Sequence, residues 1–379
     1  MKRIKNILLV LIVFFTFQHC QQKPEEFLVF DLDASHPPRE VRLSDLATDL
    51  RLVFLETTDE SLLPDYFNYY VGEHNILTFS RENILQFDSD GRFIRTLALR
   101  GKGPGEFNYV ASYTVDTAEE KLYLSHHGGD ELLVFNLASG SLEKPITVPE
   151  KAQDMIFVND SMIMALCYGH FDYQSYFINV FSNKIENAKK IEKEEDKKAS
   201  GSRINYLSLV NNNVYCLFSK SDTLYRYEQK DFMPDLLFKF NNRVDYGKSN
   251  TGRDLMFPVH TNRYMLFSTQ DVMIEMSESS MSINSGQNPR LFYYDKEENE
   301  LFDIASFEND FIREPVEHLF LVRKNRDILH IKYSALDFLE TMEENLEKDP
   351  ALQGYYDELL EGFELKEEDN PVIVVGRVI

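Results

Sequence analysis

The densest group of residues able to do chemistry is His126-His127-Gly128-Gly129-Asp130. Two imidazoles and a carboxylate could ligate a divalent cation, or pair as general acid and base. Adjacent residues of a strand point to opposite faces, so His126 and His127 would not readily share one ion, and Gly-Gly-Asp equally suits a hairpin turn. In the next strand unit, Tyr168-Gly169-His170-Phe171-Asp172-Tyr173 sets a further histidine and carboxylate among aromatic rings. If both loops open on one end of the fold, His126 or His127, His170 and Asp172 could meet as ligand or metal contacts. As packed turns they would do no chemistry. No catalytic residue is assigned and no cofactor is expected, although the histidines leave room for a divalent cation. The sequence has no Gly-x-Ser-x-Gly elbow and no His-Glu-x-x-His zinc helix. With 63 Asp and Glu residues, no single carboxylate pair stands out as glycosidase machinery.

A second stretch, Arg100-Gly101-Lys102-Gly103-Pro104-Gly105-Glu106-Phe107, has three glycines at alternate positions and a proline before the last. Such a segment can be neither helix nor central strand. It lies between the strand-like Leu97-Ala98-Leu99 and Tyr109-Val110, so it reads as a tight strand-to-strand corner. Its amides, with Arg100 and Lys102 beside them, could cradle an anion. The phosphate-loop pattern is nevertheless absent, since no Lys-Ser or Lys-Thr follows and no helix opens there. A structural role for the corner is expected.

The elements that must position these loops recur. The first strand of each unit is short and apolar, and these strands centre near Ile76, Leu122, Ile163, Val214, Tyr264 and Ile328, at steps of about 41 to 64 residues. That is the period of propeller blades lengthened by insertions. Partner strands follow at Ile84–Phe87, Glu131–Phe135, Tyr176–Val180, Thr223–Tyr227 and Arg290–Tyr294, leaving the sixth unit incomplete. The missing strands are expected from the chain ends, Phe27–Glu56 and Val372–Val378, whose pairing would close the ring and protect its edges. Lys184–Lys198 reads as a solvated turn, Ser277–Pro289 as a mobile loop and Asn241–Pro258 as a long connection. Cys167 and Cys216 sit in apolar strands, where they would pack as small hydrophobes or, at equivalent positions of neighbouring units, form a disulfide.

Residues 336–370 break the pattern with helical spacing of Leu336, Leu339, Met342 and Leu346, then of Leu352, Tyr355, Leu359 and Phe363. This stretch holds thirteen acids and two lysines, which suits a helical hairpin on the rim with its acids in water, or an acidic docking surface for a basic partner. At the other end, Lys2-Arg3-Ile4-Lys5 precedes an apolar run from Ile7 to Phe17, long enough for a signal peptide and too short to span a membrane. Residues 1–19 are therefore expected to direct export. Cys20 stands where a lipoprotein is acylated, although Phe17-Gln18-His19 is a poor match to the small residues signal peptidases prefer. Residues 20–26 would be the lipid-anchor tether and residues 27–379 one propeller domain containing the helical insertion. The formal net charge of −23 weighs against nucleic acid as a partner.

Arg100–Phe107 between strands, Ser221-Asp222-Thr223-Leu224-Tyr225-Arg226-Tyr227, and the closing Asn370-Pro371-Val372-Ile373-Val374-Val375 together resemble the six-bladed β-propeller lipoproteins of Bacteroidetes. These are relatives of the NHL-type propellers and are mostly of unknown function. The resemblance implies an all-β, six-bladed propeller, exported and lipid-anchored at Cys20 in the outer membrane, facing periplasm or cell surface. It supplies no catalytic residues. The expected activity is a non-catalytic binding scaffold for an envelope protein, peptide or glycan. The alternative is a hydrolase- or lyase-type enzyme with its site at the propeller mouth.

Overall fold

The apolar runs fold as antiparallel meanders in a computed structural model that describes residues 27–64, 67–116, 118–127, 129–167, 172–190, 206–218, 221–244, 251–276, 281–285, 289–316 and 328–379. Residues 1–26, with the leader, the tether and Cys20, lie outside the described residues, as does His170. The first blade comprises Asn68–Val71, Asn75–Phe79, Asn83–Asp88 and Phe93–Leu99. The second runs from Val110 to Thr147 and the third from Ala152 to Lys190, each also four-stranded. The fourth, Tyr206 to Lys239, gains a fifth strand, Leu28–Asp31, which pairs in parallel with its outer edge. The fifth, Thr251 to Asn309, likewise takes Pro38–Arg42 in parallel on its outer strand.

A last sheet has three strands, in the order Ile328–Tyr333, Val372–Val378, Ala47–Phe54. Here the two chain ends pair antiparallel, Val372 opposite Phe54. Among the described residues there are therefore five full blades, not the six expected. The sixth unit, expected at Ile328 with strands from the two chain ends, is this three-stranded sheet, and Leu55 to Phe67 adds no fourth strand among its described residues.

One apolar cluster fills each interface between neighbouring sheets, and the clusters run around a closed ring. The first closes the circle by joining Val53, Ile373 and Val375 of the three-stranded sheet to Ile76, Leu85 and Phe87 of the first blade. Burial of such faces is the main stabilising force of the fold.

The apolar strands centred on Ile76, Leu122, Ile163, Val214 and Tyr264 are the second strands of their blades, not the first. Each follows an inner strand, such as Val110–Val115, Ala152–Asn159 or Thr251–His260. Inner strands carry buried polar residues, including Ser112, Thr114, Asp154, Ser208 and Asp254, so they lack the continuous apolar run that marks their neighbours. Three loop expectations are also corrected. Lys184–Lys190 is the solvent-facing outer strand of the third blade, Thr251–His260 is an inner strand, and Met281–Ser285 pairs with the long strand Tyr264–Met276. The remainder of the stretch after Lys190, and residues 245–250, 277–280 and 286–288, lie outside the described residues. Cys167 and Cys216 are buried in different inter-blade clusters, and no disulfide joins them.

The insertion forms two helices, α1 (Ala335–Lys348) and α2 (Gln353–Leu359). Ser334 caps α1 by accepting the Asp337 amide at 3.0 Å. The packed face is Ala335, Phe338 and Met342, followed by Tyr356; of the expected residues Met342 is buried, Leu346, Leu352, Tyr355 and Leu359 pack against the same cluster, and Leu336 is 40% exposed. The helices lie apolar side down at the junction between the fifth blade and the closing sheet. Just beyond them, the Asn370 side chain donates to the Glu56 and Ser61 carbonyls at 2.8 and 2.9 Å and accepts the Leu63 amide at 2.8 Å. It fastens the segment after Phe54 to the start of the last strand.

Candidate functional site

In an up-and-down blade, the connection between the second and third strands emerges at the same end as the connection to the next blade. The corner at 100–107, the turn after His126, the Glu150-Lys151 connection and Asp172 therefore share one end of the ring. The turns at 88–92 and 116–120, and the helices, occupy the opposite end.

His126 ends its strand and His127 begins the turn. The His127 amide donates to the Tyr109 carbonyl at 2.8 Å, its ring packs edge-on against Tyr109, and the Lys151 ammonium stands 3.5 Å from its Nδ1. Both ring nitrogens of His126 are buried without a hydrogen-bond partner among the described residues. Burial holds both imidazoles below their ordinary range, with Lys151 adding to the effect at His127. Asp172 is exposed, and its amide donates to Glu150 Oε1 at 2.6 Å, while the Tyr173 amide donates to Oε2 at 3.2 Å. Glu150 and Lys151 thus bring the His127 and Asp172 loops to a common connection. Sequence reasoning did not single out either residue, since one Glu-Lys pair among so many charges carries no signal. No three His, Cys, Asp or Glu side chains among the described residues are grouped to hold a metal ion.

The glycine corner has a similar internal solution. The Gly103 amide donates to Glu106 Oε2 at 2.7 Å, and the Glu106 amide to the Gly103 carbonyl at 3.0 Å. A Cβ on Gly101 would overlap the Glu106 carboxylate, and Gly105 has φ +80°. Arg100 lies 3.3 Å from Glu82, Phe107 is fully buried between the first and second blades, and Pro104 and Lys102 complete the turn. The loop's own carboxylate occupies the cradle an anion would need.

At the opposite end, Glu119 does the same between blades. Its carboxylate accepts the amides of Glu73, His74 and Asn75 at 2.5, 2.9 and 3.1 Å. Three amide donors on one carboxylate make a strong, charge-assisted lock. Between the fourth and fifth blades, buried His260 bridges Ser208 at 3.1 Å and Lys296 at 3.0 Å. Burial pushes the Lys296 amine down to about 8.

His330, on the inner strand of the closing sheet, is buried with Nδ1 3.2 Å from the Tyr69 hydroxyl. Burial lowers its pKa to about 4 from an ordinary 6.5. The folded ring stays neutral where the unfolded chain takes up a proton, so stability falls as pH drops below 6.5 and this loss is complete near pH 4. Integrated over that window the loss is roughly 3 kcal/mol. Urea midpoints should decline between pH 6.5 and 5 in the wild type and decline less in His330→Gln; equal slopes would refute the assignment.

The sequence profile of a domain of unknown function, DUF4934, matches residues 27–377. The chain belongs to this family. The solved structure of a candidate exported protein of Bacteroides fragilis is similar to it, with TM-score 0.62 and 15% identity over 92% of this chain and 99% of that one. At that identity the likeness shows the fold, a β-propeller. The U3-55K structure and the WD40 repeats of RRP9 align with TM-scores of 0.48 and 0.47, at 10% and 9% identity. They cover 87% and 88% of this chain, and 99% and 98% of their own. None of the curated proteins compared with the chain matches it. No helix among the described residues of this DUF4934 member is long and apolar enough to cross a membrane.

Proposed function

We propose that the protein is an exported, non-catalytic binding scaffold of the bacterial envelope, lipid-anchored at Cys20 in the outer membrane and presenting its loop end to a protein, peptide or glycan. One observation carries this reading. Two carboxylates at the loop end, Glu106 and Glu150, are held by backbone amides of their own or neighbouring loops. Groups spent in this way build a rigid presenting surface. The signal-like leader and the likeness to a candidate exported protein support the location.

Two measurements test it. Palmitate labelling in an expressing bacterial host should mark the wild type and fail with Cys20→Ser; an unlabelled, soluble wild type would overturn the anchor. A photocrosslinker placed at Asp172 should give a discrete adduct in cells, and absence of any adduct from the loop end would count against the scaffold.

A second reading, a hydrolase or lyase at the propeller mouth with an optional divalent cation, is favoured by the unpartnered nitrogens of His126. Replacing His126, His127, His170 and Asp172 together should abolish such turnover; unchanged turnover would remove this site.

A further inference from the structure

A cavity of about 670 Å³ opens at the end of the ring opposite the histidine loops, where the closing sheet meets the first blade. Its floor is a pair of stacked rings, Phe54 and Phe363, with centroids 4.4 Å apart. Phe363 is 53% exposed, and since Phe54 covers one face of the ring, the other is turned to solvent.

Four carboxylates line the same cavity. Two are engaged: Glu56 accepts the Phe93 amide at 2.8 Å and Asp369 accepts the Lys366 amide at 2.8 Å. The other two, Asp90 and Glu364, have no ion pair among the described residues. Two arginines also reach the rim. Arg51 is turned to the Ser89 carbonyl at 3.0 Å, and Arg92 is exposed. Carboxylates outnumber guanidiniums, and the 336–370 segment, to which Glu364 and Asp369 belong, holds thirteen acids against two lysines. The local field therefore favours a cation.

We propose that this cleft binds a lysine- or arginine-bearing segment of a partner protein, with the cation over the open face of Phe363 and flanking positive charge on Asp90 and Glu364. A cation is attracted to the negative face of an aromatic ring, and carboxylates at the rim reinforce it. The surrounding acidity steers a basic segment toward the site and repels acidic ones. Arg51 and Arg92 remain as donors for the carbonyls of the bound backbone. The assignment deepens the scaffold reading by naming the partner chemistry at a second surface.

The test is fluorescence anisotropy of labelled hexa-arginine with the full chain, read against hexa-glutamate and a neutral oligosaccharide. Phe363→Ala leaves the charge unchanged and should weaken hexa-arginine binding about fivefold or more. Phe363→Leu keeps the apolar packing on Phe54 and should lose nearly as much, which covers the case in which the alanine variant folds poorly. Asp90→Asn with Glu364→Gln should weaken binding further. The exposed remote pair Glu186→Gln with Glu300→Gln, which removes the same charge, should change it less than twofold. Equal losses in the two charge pairs, with both Phe363 variants unaffected, would mean diffuse attraction to an acidic protein and overturn the proposal. So would Phe363-dependent binding of hexa-glutamate or the oligosaccharide. Absence of hexa-arginine binding while the Asp172 crosslink still forms would overturn the cleft assignment and leave the scaffold standing.

Discussion

Phe338→Ala should lower the unfolding free energy by roughly 3–5 kcal/mol, the cost of removing a fully buried phenylalanine. Phe338 has no exposed surface and stands edge-on to Phe54 in the cluster that joins the fifth blade, the closing sheet and both helices. Its neighbours there, Tyr264, Tyr356 and Val372, are equally enclosed and cannot collapse easily into the space. Tyr264 is tied by its hydroxyl to the Leu46 carbonyl, and Tyr356 by its own to the Ile312 carbonyl. A denaturant titration gives the answer directly. A loss under about 1 kcal/mol would mean that the helices dock as an appendage, whereas the exposed Leu336→Ala should fall within the small range of surface changes.

Gly91→Ala is the second large effect expected, at roughly 2–4 kcal/mol. Gly91 turns the outer hairpin of the first blade at φ +88°, a region where a side chain is strained. A Cβ there would also overlap the Phe54 carbonyl oxygen. Relief requires the turn to withdraw from the closing sheet, and with it the Glu56 amide, which donates to the Gly91 carbonyl at 2.8 Å. Gly354→Ala serves as the control, because nothing lies within 4 Å of the added methyl. Similar melting temperatures for the two variants would refute the close approach.

How much of this was legible in the sequence depended on which face each residue served. The second and third strands of the blades announced themselves because both their faces are packed, as Leu122–Ser125 and Leu132–Phe135 show. Inner strands were hidden because residues such as Ser112 and Asp154 interrupt the apolar run. The helices were visible by spacing, and Met342, Leu346, Leu352, Tyr355 and Leu359 do pack, but only the structure shows that Phe338 and Tyr356 are the fully buried rings and that Leu336 is exposed. Leu28–Asp31 was visible as an early apolar strand but its partner was not, and Pro38–Arg42, beside two prolines, gave no signal. They pair in parallel with strands more than two hundred residues away, without a turn beside them to mark the register. For the candidate site, the histidines and Asp172 were visible as types. Glu106, Glu119 and Glu150 became legible only when their amide partners were placed, since chemistry shared by so many carboxylates distinguishes none of them.

The position of the last strand has a consequence for biogenesis. Val372–Val378 lies between Ile328–Tyr333 and Ala47–Phe54, so a strand that follows all the blades in the sequence forms the middle of its sheet rather than its edge. Until it is made, the early strand Ala47–Phe54 has no partner in that sheet and the ring stays open. Blades can form locally in order, but the closing sheet cannot assemble before Val372–Val378 is in place, so closure of the ring comes after the blades and not before them.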